Sequence, residues 1–260
     1  SLRRAGRFIV GVSLGEPSTA SGGRKKRRLD RKARSSGVFL GFAVLGSLAQ
    51  GRFIHPGLLH SRSDLERIRT GVAAKKGPIY EGFRILEDSP YARADYRMRG
   101  PFAEWGRAPN IRKGETESDA LAVYQNALMW AITGKKAHAE RAIHILNSWT
   151  GLLKKVSGID GVLASGLQGF MFVNAAELLR HTDSGWSEKE AKRCGQWFLD
   201  VWDPTIEHYA YFANGNWETA ALQTRMAIAV YCNERQMFEE FFTAGVYTTC
   251  RFWLKTACVS

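Results

Sequence analysis

At 260 residues the chain could form one large domain or two small ones, and 45% hydrophobic content with eight Trp and fourteen Phe excludes a disordered polymer. It contains no run of eighteen or more apolar residues, which argues against an ordinary spanning helix. The net charge of +12 belongs mostly to one end: residues 1–51 carry eleven basic and two acidic groups, a net of +9, leaving +3 for the remainder and no case for a DNA-binding body.

That first segment has its own order. The basic run RKKRRLDRKARSS (24–36) precedes the apolar GVFLGFAVLGSL (37–48) and a small-x-small site at Ser47 and Ala49. A charged stretch, a short apolar stretch and a cleavable triplet predict a secretory signal cut near Ala49–Gln50, with secreted or periplasmic residence. The long stretch before the apolar segment exceeds an ordinary signal n-region, and the rival readings are a nuclear-localisation patch at 24–28 or a single anchor. Domain boundaries follow: a basic arm with the signal-like segment over 1–51, a helical domain over 52–242, and an irregular tail over 243–260.

From residue 52 the pattern is helical almost throughout. SRSDLERIRTGVAAKK (61–76) offers Ser63 as N-cap and Glu66 three residues later as its capping-box partner. Gly77-Pro78 ends that helix, and IYEGFRILEDS follows as a second. Residues 89–117, rich in Arg, Gly, Pro and aromatics, read as a long loop of the kind that carries function.

Regular alternation then sets in. Helices are expected over 118–134, starting at a Ser118/Asp119 cap, and over 137–156, 163–181 and 187–202. Ser187 and Glu190 spell a capping box for the last of these. After Asn214-Gly215-Asn216-Trp217 come ETAALQTRMAIAVYC and, past Asn233-Glu234, QMFEEFFTAGVY. Breaks near 134, 184 and 234 recur about every fifty residues, the period of repeated helix hairpins. One helix of each pair is apolar and rich in small residues, and the other is charged on one side. The fold class is therefore all-α, an incomplete (α/α) toroid of helix hairpins with an inner and an outer ring; an open α-solenoid is the alternative. About three and a half hairpins fit between 64 and 256, and TAGVYTTCRFWLKTACVS lacks a helical stripe, so truncation before ring closure is expected.

Cys194, Cys232, Cys250 and Cys258 lack CxxC spacing and paired histidines, which gives no zinc signal; no metal and no cofactor are expected. Cys194 and Cys232 read as buried thiols on helices. His138 and His144 on a charged helix, and His55 and His60 beside a turn, need no function. Glu177, well inside its helix, suits a buried ion pair or hydrogen bond better than acid catalysis.

In a toroid the inner helices run the same way, so their starts gather at one end. Those starts are expected near Asp119, Gly166–Gln168 and Asn214–Trp217, where free N–H groups favour anions. Asn214 and Asn216 add neutral donors and Trp217 a flat face, a set that suits a sugar acid. The plainer reading is an Asn cap followed by a core Trp.

Four stretches, FIHPGLLHSRSDLERIRTGV, ALMWAITGKKAHAERAIHILNSW, LASGLQGFMFVNAAELLR and NGNWETAALQTRMAIAV, together resemble the alginate lyase domain family of α/α-toroid polysaccharide lyases, from about residue 53 to about 240. The resemblance implies β-elimination on a uronate-containing polysaccharide of the alginate or glucuronan type. A base takes the C5 proton, an acid protonates the leaving O4, and an Asn, helped by His and Arg, neutralises the carboxylate while a Tyr moves the proton. Asn214 matches the neutralising amide, with Asn216 as alternative. The His that follows that Asn in characterised members is Gly215 here, and the family's later Arg and Tyr would fall beyond residue 240. Tyr211 and His208, with Tyr209, stand just before the turn as candidates for proton transfer. Trp217, Gln168, Tyr124, Arg99 and Arg107 are candidate substrate contacts, Trp105 a weaker one. The implied partner is an acidic polysaccharide, with no nucleic acid and no stable membrane insertion; the sequence leaves oligomeric state open. A glycoside hydrolase on the same fold would need two facing carboxylates, for which Asp119, Glu207 and Glu218 are the candidates. A truncated glycan-binding toroid and a helical-repeat adaptor are the non-enzymatic readings.

Overall fold

The computed structural model describes residues 53–207 and 215–245, with side chains as far as Glu240. The signal-like arm, most of the predicted tail, Cys250 and Cys258 lie outside the described residues.

The chain starts with two short helices, α1 (Arg62–Ala73) and α2 (Pro78–Glu87). The α1 cap is Ser61 rather than Ser63: its side chain accepts from the Asp64 N–H while the Asp64 carboxylate takes the Ser61 N–H, closing the box two residues earlier than expected. Asp serves at the third helical position as Glu would, which is why the spacing alone misplaced the start.

Three helix pairs follow: α3 (Lys113–Thr133) with α4 (Lys136–Leu152), α5 (Gly161–Arg180) with α6 (Glu188–Trp197), and α8 (Asn216–Cys232) with α9 (Arg235–Gly245). The expected breaks are present. Gly134 and Asn233 end their helices in the left-handed conformation, at φ 68° and 58°, and Asp183 and Gly185 bend the chain between α5 and α6. Ser187 caps α6 as expected, accepting from the Glu190 N–H at 3.2 Å.

The expected contrast of buried with one-sided helices is also present. Helices α3, α5 and α8 pack side by side and are buried around most of their circumference. By contrast α4 buries one stripe, His138, Ala142, Ile145, Leu146 and Trp149, and α6 buries Ala191, Cys194 and Gly195. The fold is all-α. Helix α5 has a mean hydropathy of 1.4 and the length to cross a bilayer, yet 78% of that window is buried within the protein, the environment of a core helix.

Two starts differ from expectation. Helix α3 begins at Lys113, whose N–H is taken by the Asn110 side chain, so Ser118 and Asp119 are interior and buried. Helix α5 begins at Gly161, placing Gly166–Gln168 in its second turn. The predicted 187–202 helix loosens after Trp197 into a π-turn, Phe198–Trp202, before a single turn α7 (Asp203–Ile206). Pro204 has no N–H to continue the ladder, and the Asp203 N–H reaches back five residues to the Phe198 carbonyl.

The long 89–117 segment is mostly irregular but tightly held. A three-residue strand β1 (Glu104–Gly106) pairs in parallel with β2 (Lys155–Ser157), a ribbon the helical pattern did not anticipate. Beneath it lies an aromatic cluster. The Phe172 ring sits 5.8 Å from Trp149, 5.6 Å from Trp197 and 5.7 Å from Trp202, and Trp105 lies 6.3 Å from Trp202. Trp105 is fully buried and belongs to this core rather than to a surface that meets a ligand.

Helices α5 and α8 run parallel at close range. In the first half of α5 the Gly166 carbonyl accepts from Thr224 Oγ1, midway along α8, at 2.6 Å, and near the ends of both helices Arg180 reaches the Tyr231 carbonyl at 3.3 Å. A Cβ on Gly166 would fall 2.5 Å from the Ala220 carbonyl carbon, which is backbone and cannot step aside. Gly166→Ala is therefore expected to lower unfolding free energy by about 1–3 kcal/mol through overpacking. Urea denaturation followed by circular dichroism checks this, with Gly82→Ala, where the added carbon meets nothing, as the control.

Candidate active site

The starts of α5 and α8 lie together because small residues let them. Asn216 is the first residue of α8 and is exposed, and Trp217 beside it is half-buried rather than sunk in the core. The residue before them, Gly215, holds φ 114°, a backbone that side chains rarely adopt, and offers no side-chain cap to the first-turn N–H groups. The amide of Asn216 and the indole of Trp217 thus stand on the positive end of an inner helix. About two turns further, the Gln223 amide donates to the Gly166 carbonyl at 3.2 Å, tying α8 to α5. Gln168 is on α5 there, buried, with its Oε1 lacking a hydrogen-bond partner among the described residues. Asn214, Tyr211, His208 and Tyr209 lie outside the described residues.

The long loop reaches this end through two carboxylates. Asp160, at the α5 cap position, is buried and accepts from the Ala108 N–H at 3.0 Å and from the Arg107 guanidinium. Arg107 is thereby held at the α5 start, with its charge already partnered. Asp119 takes four donors: Tyr96 Oη, the Arg99 N–H and the Gly100 N–H, each at 2.9 Å, and Trp149 Nε1 at 3.0 Å. It is a fully buried anchor for the loop, neither a helix start nor an acid available for catalysis.

On the stretch leading into the Asp119 anchor the loop forms an open groove of about 530 Å³ lined by Tyr91, Tyr96, Met98, Arg97 and Arg99, with an Arg93–Asp95 pair at its edge. The Arg97 and Arg99 side chains are exposed and form no ion pair among the described residues. Arg97 was not singled out by the sequence pattern, although its spacing of two from Arg99 was there to be noticed.

Tyr124 has a partner that the sequence did not suggest. Its hydroxyl lies 2.8 Å from His60 Nε2, the two rings 6.2 Å apart and near parallel. Burial pushes the phenol up to about 12 and draws the imidazole below its ordinary 6.5. Neutral imidazole beside neutral phenol is a pair between which a proton can move. The N–H of the preceding residue, Leu59, points to Asn174 Oδ1 at 3.4 Å, which seats the same segment on α5.

An all-helical hairpin fold, with an amide and an indole at the start of one buried helix and a basic loop anchored on its core, defines a class of α-hairpin proteins. Comparison narrows the class. The Alginate lyase family profile matches residues 88–247, more than half of the chain. The chain belongs to the alginate lyase family. Searches of curated proteins and of solved structures returned no match.

The buried imidazoles set a pH response. His60 and His138 both have their affinity for a proton reduced in the folded state, chiefly by desolvation. Below the unfolded value of 6.5 the unfolded chain binds protons that the folded chain does not, so stability falls as pH drops through that value and levels off below the folded ones. A His60→Gln variant, which keeps a hydrogen-bonding group beside Tyr124 but does not titrate, is expected to lose less stability between pH 7.5 and 5. Urea melts of the two proteins across that range provide the comparison.

Proposed function

We propose that the protein is a polysaccharide lyase that cleaves a uronate-containing acidic polysaccharide, of the alginate or glucuronan type, by β-elimination. Membership of the alginate lyase family is the observation that carries this reading. Removal of the C5 proton leaves charge that flows into the adjacent carboxylate, and catalysis requires donors aimed at that carboxylate. Asn216 supplies a neutral amide for it at the α8 start, where the helix field has the right sign, and Asn214, two residues earlier in sequence, is assigned the same role. Tyr211 and His208, immediately before this turn in sequence, are assigned proton transfer at C5 and O4. Trp217 presents an indole face for a pyranose ring, and Gln168 a buried amide at the same end. Along the loop, Arg99 offers an unpaired charge to further uronate units, whereas Arg107 acts through its pairing with Asp160. Tyr124, expected among these contacts, instead pairs with His60 beside Asn174, about 20 Å along α5 from its start, and stands apart from this group. Export through the 37–49 segment would bring the enzyme to a polymer found outside cells.

The engagement of Asp119 by four donors weighs against hydrolysis, since it removes one of three candidate carboxylates from the pair that mechanism needs. Incubation with alginate and with glucuronan is expected to release unsaturated uronates, read as rising ultraviolet absorbance; reducing ends without that absorbance would indicate hydrolysis instead. Replacing the neutralising amide, tested as Asn214→Ala and Asn216→Ala, is expected to lower kcat by about 10²-fold or more in at least one variant. Trp217→Ala is expected to act mainly on KM. If both Asn variants retain full turnover, the assignment of this turn is wrong.

A further inference from the structure

A second cluster lies at the other end of α5. Glu177 is about 24 Å along that helix from its first residue, and it is 1% exposed. Its two oxygens have different surroundings. Oε1 accepts from the Gly57 N–H at 2.8 Å and lies 2.7 Å from His55 Nδ1. Oε2 faces His181 Nε2 at 3.6 Å, and both of these buried atoms lack a hydrogen-bond partner among the described residues. The ligand atoms of His55, Glu177 and His181 all lie within 4.8 Å of one another.

A buried carboxylate oxygen facing a buried ring nitrogen, with nothing bridging them, is an expensive arrangement. A cation held between the two satisfies both. Two imidazoles and one carboxylate are a donor set of borderline divalent metals, zinc foremost. With bonds of about 2.0–2.2 Å, two ligand atoms on a tetrahedral edge stand about 3.4 Å apart. The observed 3.6 Å is close to that. The outer contacts also suit a metal. A cation entering displaces the direct His55 Nδ1–Glu177 Oε1 contact of 2.7 Å, which must open. Asn233 Oδ1, 3.2 Å from His55 Nε2, can then take the ring proton and free Nδ1 as a ligand, and the Gly57 N–H steadies the carboxylate. Arg180, the nearest fixed positive charge on the same helix, is offset by Glu188 at 2.6 Å. The two imidazole rings are stacked, 4.3 Å apart and 14° from parallel, so they must tilt to bring both lone pairs onto one ion.

We propose that His55, Glu177 and His181 form a binding site for a divalent transition metal, with zinc the fitting ion and water in the fourth position. The site joins the segment before α1 to α5 and, through Asn233, to the end of α8. Its distance from the amide-bearing α8 start makes it a stabilising site, independent of the lyase reading.

The full chain, stripped with EDTA and titrated with zinc chloride, is expected to bind one zinc per chain and to melt at a higher temperature when loaded. Cobalt chloride is expected to give the visible absorption bands of a tetrahedral ion. His55→Ala and the milder His181→Gln should each weaken zinc binding by at least about 100-fold and abolish the rise in melting temperature. Asn233→Gly, which suits the left-handed backbone there and removes only the outer contact, should weaken it by about 10–100-fold. Circular dichroism of the metal-free variants establishes that they are folded. No zinc binding by the stripped wild-type chain, or binding unchanged in both His variants, would overturn the proposal and leave the cluster a His55–Glu177 hydrogen bond.

Discussion

The contact on which the candidate site depends is the approach of two parallel helices along a line of small residues. Gly166 and Gly169 on α5 leave room only for backbone and for Thr224 on α8, with Trp202 closing over Gly169. The hydroxyl and amide of Thr224 and Gln223 both point at the Gly166 carbonyl, so the pairing is set by hydrogen bonds as well as by volume. Shape and polarity agree on one register. Because the helices are parallel, their starts fall at the same end, and the Asn216-Trp217 pair is delivered beside α5 without a loop to steer it. An interhelical contact thus becomes a property of the site.

The second organising device is the use of buried carboxylates as posts. Asp119 gathers the 96–100 stretch of the loop together with Trp149, and Asp160 gathers Arg107 and Ala108. Glu177 does the same for His55 and Gly57. In each case an irregular segment, with few backbone partners of its own, has its N–H groups taken by a side chain on or beside a regular helix. Irregular backbone remains compatible with a dry interior for this reason.

How much of this was legible in the sequence depends on the range of the interaction concerned. Hairpin breaks at Gly134 and Asn233, the Ser187 cap and the contrast of buried with one-sided helices are written in local chemistry and period, and they appear where they were read. Helix starts were misplaced at Ser61 and Lys113 because Asp64 and Asn110 serve in capping roles for which other residues had been chosen. The β1–β2 ribbon, the Asp119 anchor and the Tyr124–His60 pair join residues from 19 to 64 positions apart. No local pattern reports such partners. The Glu177–His181 spacing of four on one helix was visible, but His55 reaches them from 122 positions away. The buried ion pair or hydrogen bond expected for Glu177 was therefore readable as a type of interaction, without its partner.

The two posts under the long loop have a consequence for how the protein can vary. Between Gly100, fixed by Asp119, and Arg107, fixed by Asp160, the intervening residues rest on the core chiefly through Trp105 and the short ribbon. A segment clamped at both margins can be exchanged for a different one while the helices beneath stay as they are. Evolution or grafting can thus change the chemistry of this face by rewriting a handful of positions, and leave the scaffold untouched.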